Sequence, residues 1–254
     1  MNRPKKSLGQ NFLQDKNIIK KIIDAFNPTE NETIVEIGPG KGALTDELIT
    51  KKINLFGVEI DKNLCEELRI KYPNLQLVNK DFLKVDFEKD ITNTRCRVIG
   101  NIPYYATSQI LLKLFENHRL IKDALIMMQL EVAQRLISQP KTKEYGILSV
   151  YTNFYSEAKL LFKVSKNVFY PKPEVDSAVV HFKFNEKLEL NEIEIELFRI
   201  IIRTAFNQRR KTLRNSLRKL INVENQEKLK FDFNRRAEEL SLNDFLYLAK
   251  NFKP

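Results

Sequence analysis

Between Thr33 and Gln129 the chain alternates short apolar runs with longer stretches suited to helices, and this alternation restricts the fold more than any other feature. Thr33 to Ile37, Leu55 to Ile60, Leu75 to Val78, Arg97 to Ile99 and Ala124 to Gln129 read as buried strands. Ala43 to Lys51, Lys62 to Lys71 and Ser108 to Phe115 read as the helices between them. Connections of that length carry the chain from one parallel strand to the next in a right-handed sense, so the expectation is an α/β domain with a mostly parallel sheet. Ahead of it, Ile18, Ile19, Ile22, Ile23 and Phe26 share one helical face, with Asp15 as the cap.

After Gly146 the pattern changes. Leu148 to Phe154 and Ala178 to Phe184 read as strands separated by the Pro171-Lys172-Pro173 turn, an antiparallel hairpin that would close the sheet. From Asn191 onward the sequence looks wholly helical. The expected boundary falls near residue 186, giving a domain over 1–186 and a small all-helical domain over 187–254.

A hydrophobic content of 43% in 254 residues supports a real core, while no stretch approaches 18 uninterrupted apolar residues. Residues 1–10 are basic without the apolar centre of a secretory signal, so a soluble cytoplasmic protein is expected. Cys65 and Cys96 stand far apart with only His118 and His181 to join them, which argues for free thiols and against a structural metal.

Lys and Arg number 43 against 33 Asp and Glu, a formal charge of +10 that suits a polyanionic partner. The charge is concentrated. From Arg199 to Lys219 there are eight basic residues and no acid, with Ile202, Phe206, Leu213, Leu217 and Leu220 available to pack inward. Arg209, Arg210, Lys211 and Arg214 are the candidate phosphate contacts; a plain solvated helix surface is the alternative.

Two motifs sit at strand ends, where open α/β sheets place their ligands. Val35-Glu36-Ile37-Gly38-Pro39-Gly40-Lys41-Gly42-Ala43 is a strand running into a glycine-rich turn that opens a helix, and Glu59 lies at a suitable distance to hold ribose hydroxyls. The pattern also passes as a dinucleotide fingerprint. Asn101-Ile102-Pro103-Tyr104 follows the fourth strand; Pro103 can neither continue a ladder nor let Ile102 become helical. It sets an amide oxygen, a rigid turn and an aromatic face within four residues, although Asn and Pro also make ordinary turns.

Glu36 two residues before Gly38, Gly42 closing E-x-G-x-G-x-G, Asp81 after the third strand and the Asn101 motif after the fourth together resemble the class I methyltransferases that act on amino nitrogens of bases. The resemblance implies a Rossmann-like fold and S-adenosyl-L-methionine as cofactor, with Gly38, Glu59, Asp81 and Asn101 around it. It also implies that the Asn101 side-chain oxygen and the Pro103 carbonyl accept from an adenine N6 while Tyr104 stacks on the base. Phe169, in Val168-Phe169-Tyr170-Pro171, would either cover the other face of the base or fill the core beneath the hairpin.

The ends of the chain narrow the family. Lys6-Ser7-Leu8-Gly9-Gln10-Asn11-Phe12-Leu13 looks like the opening motif of the ribosomal RNA adenine N6 dimethyltransferases, in which Asn11 and Leu13 would contact the cofactor. Arg203 to Asn215, Gln129 to Leu136 and Arg236 to Ser241 resemble the KsgA (RsmA) branch rather than the Erm branch. The resemblance covers the chain from Lys6 to about Ala249, with Tyr105, Ala106 and Ala237 as departures. It implies a monomer that dimethylates two adjacent adenines near the 3′ end of 16S rRNA in a pre-30S particle. An Erm-like modifier of large-subunit rRNA and a non-catalytic assembly factor are the alternatives.

Overall fold

The computed structural model describes residues 5, 8–221 and 223–252. Lys6 and Ser7 of the opening motif lie outside them. The described chain forms two compact units, one running to Ala133 and resuming over Ser156–Glu186, the other combining Gln134–Tyr155 with the chain from Lys187 onward. The expected passage near residue 186 is therefore accompanied by two earlier ones.

The first unit holds β1 (Phe12–Leu13), α1 (Lys16–Phe26), β2 (Thr33–Ile37), α2 (Thr45–Leu48), β3 (Asn54–Glu59), α3 (Lys62–Lys71) and β4 (Gln76–Asn79). It continues through α4 (Phe87–Asp90), β5 (Cys96–Asn101), α5 (Thr107–Glu116) and β6 (Ile121–Gln129) into α6 (Leu130–Leu136), where the chain leaves it. It resumes after α7 (Ile147–Tyr155) with β7 (Ser156–Val164), β8 (Phe169–Tyr170) and β9 (Ser177–Phe184).

A seven-stranded sheet runs in the order β4-β3-β2-β5-β6-β9-β7. The five strands from β4 to β6 are parallel, and β9 and β7 close the edge antiparallel. One sheet face is covered by Ile22, Ile23 and Phe26 of α1, Leu48 of α2 and Leu68 of α3, packed with Ile34, Leu55, Ile99 and Leu125. Asp15 caps α1 through the amides of Asn17 and Ile18, as its position ahead of the apolar stripe implied.

The strand expected over Leu148 to Phe154 is instead α7. Nearly every side of this helix is buried, including Leu148, Val150, Tyr151, Phe154 and Tyr155, so it shows no 3.6-residue stripe, and its β-branched and aromatic content imitates a strand. The strand is β7, immediately after it. There Glu157, Lys159, Leu161 and Lys163 point outward in strict alternation, the period a half-buried strand requires.

The second unit contains α7, α8 (Glu192–Asn207), α9 (Leu213–Ser216), α10 (Val223–Lys228) and α11 (Leu242–Asn251). Asn191 with Glu194, and Ser241 with Asp244, form capping boxes at the starts of α8 and α11. Arg235 grips both Asp244 oxygens at 3.0 Å and the Glu239 carbonyl at 2.7 Å. The unit is not wholly helical: Thr212 and Arg236 form an isolated bridge.

Candidate active site

β2 and β5 lie side by side, yet the chain leaves β2 toward one sheet edge and β5 toward the other. A crevice must open at their carboxyl ends. A cavity of about 310 Å³ fills it, and its wall includes Asn11, Leu13, Gly38, Glu59, Asp81, Asn101, Pro103 and Tyr104. The fold thus gathers every residue expected near the cofactor and three of the four expected near the reacting amine. Phe169 is the exception. It is 5% exposed and packed in the core with Leu13, its partner in the β1–β8 ladder, because alternation along β8 turns Phe169 inward and Tyr170 outward.

The glycine turn is held from both sides. Gly38 donates to the Val58 carbonyl at 2.9 Å, and Gly40, at φ 61°, donates to Glu59 Oε2 at 3.0 Å. Nothing stands within 4 Å of where a Cβ on Gly38 would lie, so a ligand can approach the backbone there. Glu59 Oε1 accepts from the Asp61 amide at 2.9 Å. Burial pushes the Glu59 carboxyl upward, opposed by these two amide donors. Asp81 caps the 3₁₀ turn Phe82–Lys84 through the Leu83 amide at 3.0 Å, and its second oxygen has no partner among the described residues.

Glu36 is 2% exposed and accepts from the Thr45 hydroxyl at 2.7 Å. Burial, opposed by Thr45 and reinforced by Glu59 and Asp46, pushes its pKa up to about 7.

At the end of β5, Ile102 donates to the Met127 carbonyl at 3.2 Å, which holds the motif against β6. Asn101 Nδ2 donates to the Asn11 carbonyl at 3.0 Å, while Asn101 Oδ1 meets no donor among the described residues. Tyr104 shares a 2.7 Å hydrogen bond with Ser177, which fixes its half-buried ring. The expected role of the Pro103 carbonyl needs correction. It accepts from the Ala106 amide at 3.2 Å and the Thr107 hydroxyl at 3.3 Å, because Pro103 caps the turn into α5. The neighbouring Ile102 carbonyl has no donor among the described residues.

Phe12 is a wall residue that sequence reasoning passed over. Its ring lies across Gly40, with Lys41 Nζ 5.1 Å from the ring centroid. Its only local signal was a place inside the opening motif.

Two acids, Glu59 and Asp81, an open glycine backbone and apolar side chains such as Phe82 and Leu64 in one wall suit an adenosine joined to a cationic amino acid, so the residues present fit S-adenosylmethionine. Among the described residues no cluster of three or more His, Cys, Asp or Glu could hold a metal, and no helix is long and apolar enough to cross a membrane.

In the second unit the four basic candidates separate. Arg209 is committed internally, through Nε to Glu238 at 2.7 Å and through Nη2 to the Lys143 and Thr142 carbonyls at 2.7 and 3.3 Å. Arg210, Lys211 and Arg214 are exposed, and their side chains have no partner among the described residues.

The family model for ribosomal RNA adenine dimethylase matches residues 1–253. A protein of Mycoplasma mobile called ribosomal RNA small subunit methyltransferase A is 46% identical over 253 residues, covering 96% of each chain. Its namesake in Chlorobium phaeobacteroides is 44% identical over 250 residues, covering 98% of this chain and 94% of its own. Among solved structures, a dimethyladenosine transferase of Plasmodium falciparum superposes with a TM-score of 0.78 at 26% identity, covering 93% of this chain and 95% of its own. The 23S rRNA methyltransferase ErmE reaches 0.69 at 26% identity, covering 95% and 99%. With a match running almost end to end over a cavity suited to this cofactor, the chain belongs to the ribosomal RNA adenine dimethylase family and is an S-adenosylmethionine-dependent rRNA adenine dimethyltransferase.

Proposed function

We propose that this enzyme dimethylates N6 of two adjacent adenines in a hairpin near the 3′ end of small-subunit rRNA, acting as a cytoplasmic monomer on a pre-30S particle. Support for the small subunit comes from the names of relatives 41–46% identical to it. The observation that carries the chemistry is at Asn101: its NH₂ is taken by the Asn11 carbonyl, which leaves its oxygen as the free acceptor at the cavity wall, beside the Ile102 carbonyl.

An adenine N6 lone pair is delocalised into the ring, so the amine is a weak nucleophile. Two acceptors on its N–H groups favour the pyramidal amine and aim its lone pair, roles that fall to Asn101 Oδ1 and the Ile102 carbonyl. Tyr104, held by Ser177, supplies the face on which the base stacks. Tyr105, which lines the cavity at 63% exposure, stands at its rim, whereas Phe169 lies in the core. Orientation of this kind supplies about 7–11 kcal/mol in favourable cases, so no strong base is required. The base must leave its stack to enter.

Bound S-adenosylmethionine supplies an electrophilic methyl group. Gly38, Glu59, Asp81, Asn11 and Leu13 would hold it, with Glu59 on the ribose and Asp81 on the adenine amine. The first unit carries the chemistry and the second the rRNA contacts, with Arg210, Lys211 and Arg214 on phosphates. The test is incubation with labelled S-adenosylmethionine and, in parallel reactions, small subunits lacking the modification and large subunits, followed by mass mapping of both RNAs. Asn101→Ala is expected to abolish transfer with subunit binding retained. Label in large-subunit RNA would replace this reading with an Erm-like one.

A further inference from the structure

Lys5 and the segment from Leu8 to Leu13, which lines the cavity, are tied down at several points. Lys5 Nζ and Gln10 Nε2 both donate to Asp61, at 2.8 and 3.2 Å. Gly9, at φ 58°, lies against the Tyr105 ring so closely that a Cβ there would stand 3.0 Å from a ring carbon. Phe12 and Leu13 pair with Tyr170 and Phe169. Between these anchors the Asn11 carbonyl meets Asn101 Nδ2 at 3.0 Å.

This contact does more than fasten the strap. The two ends of an asparagine amide are nearly isosteric, and only the chemistry of the neighbours chooses between them. A backbone carbonyl can only accept, so it selects the NH₂ end and turns the oxygen away as the free acceptor. With the amide turned over, Asn101 would present donors to an amine whose own N–H groups also donate.

We propose that the Asn11 main-chain carbonyl is a positioning group, which sets the Asn101 amide so that docking of the strap and assembly of the amine clamp are one event. The proposal rests on the reading of Asn101 as acceptor for adenine N6. The strap then governs the methyl-transfer step itself.

Two full-length variants test it. Gly9→Val loosens the strap, because a β-branched residue is strongly disfavoured at that φ and its Cβ meets Tyr105. Asn101→Asp keeps an acceptor but sets a carboxylate oxygen against the Asn11 carbonyl. In the native protein the Asn101 side-chain amide protons, assigned by their loss in Asn101→Asp, are expected to show the shift and slowed exchange of a hydrogen-bonded group. That signature is expected to vanish in Gly9→Val. Both variants are expected to lose roughly ten-fold or more in kcat at saturating S-adenosylmethionine, the equivalent of one hydrogen bond's alignment, with subunit affinity within about two-fold. Native kcat in Asn101→Asp, or a Gly9→Val enzyme that loses only cofactor affinity, would overturn the proposal. The amide signature is read without substrate, so its absence from the native protein overturns the coupling independently of what the methylation assays say about function.

Discussion

Glu36 sits on the cavity wall at 2% exposure, with one hydroxyl donor at 2.7 Å and two other carboxylates, Glu59 and Asp46, raising its proton affinity. A carboxyl whose folded pKa exceeds its unfolded value keeps in the fold a proton that the unfolded chain has already released. Its stabilising effect is therefore complete below the ordinary value of 4.5 and is lost as pH rises through about 7. Each pH unit across that window is worth about 1.4 kcal/mol, so the decline amounts to about 3 kcal/mol by pH 8. Glu36→Gln removes the titration while its amide oxygen still accepts from Thr45. Unfolding of both proteins at pH 5, 6, 7 and 8 isolates the effect, because any loss from placing an NH₂ group there shifts the variant's profile without tilting it. The native protein is expected to lose stability relative to the variant across that range, by roughly 5–10 °C in Tm. Parallel profiles would refute the assignment of a buried carboxyl that is protonated below neutrality.

Asp123 shows the opposite sign: burial raises its pKa, but hydrogen bonds from His181 and Arg97 at 2.6–2.8 Å outweigh it and hold the carboxyl below the ordinary range. Its contribution is present above the unfolded value near 3.9 and lost as pH falls through the lower folded value, so Asp123→Asn is expected to flatten the acid limb of the stability profile. Arg97→Ala is expected to cost about 3–5 kcal/mol, measured by urea unfolding, because it strands Asp123 and Glu32. Tyr104→Phe frees the ring from Ser177 and is expected to lower kcat several-fold, about 1 kcal/mol, with KM for the subunit unchanged; an equal loss in Ser177→Ala checks the cause. Replacing Arg210, Lys211 and Arg214 together by Ala should weaken subunit binding and flatten its salt dependence, whereas Arg209→Ala should lower Tm first, since it strands Glu238 and two carbonyls.

The parallel half of the sheet, helix α1 and the glycine turn were legible because each depends on neighbours close in sequence. Periodicity in Ile18 to Phe26, the short runs ending at Ile37, Glu59 and Ile99, and the glycines after Ile37 are local facts with local consequences. The same holds for Asn101 at a strand end, which Pro103 enforces by itself. α7 was misread for the converse reason: a helix buried on nearly all sides carries no stripe, and only its surroundings determine that it coils.

By itself the sequence determined an α/β methyltransferase core with its acids, glycines and amine motif in sheet order, since strand spacing and turn chemistry are written residue by residue. Tertiary structure alone decided which atoms remain available. Phe169 turned inward to the core, Arg209 was taken by Glu238, the Pro103 carbonyl was taken by the turn into α5, and Asn101 was oriented by a carbonyl 90 residues away. Hydrogen-bond capacity is used up by whatever the fold brings near, and no local pattern records those partners.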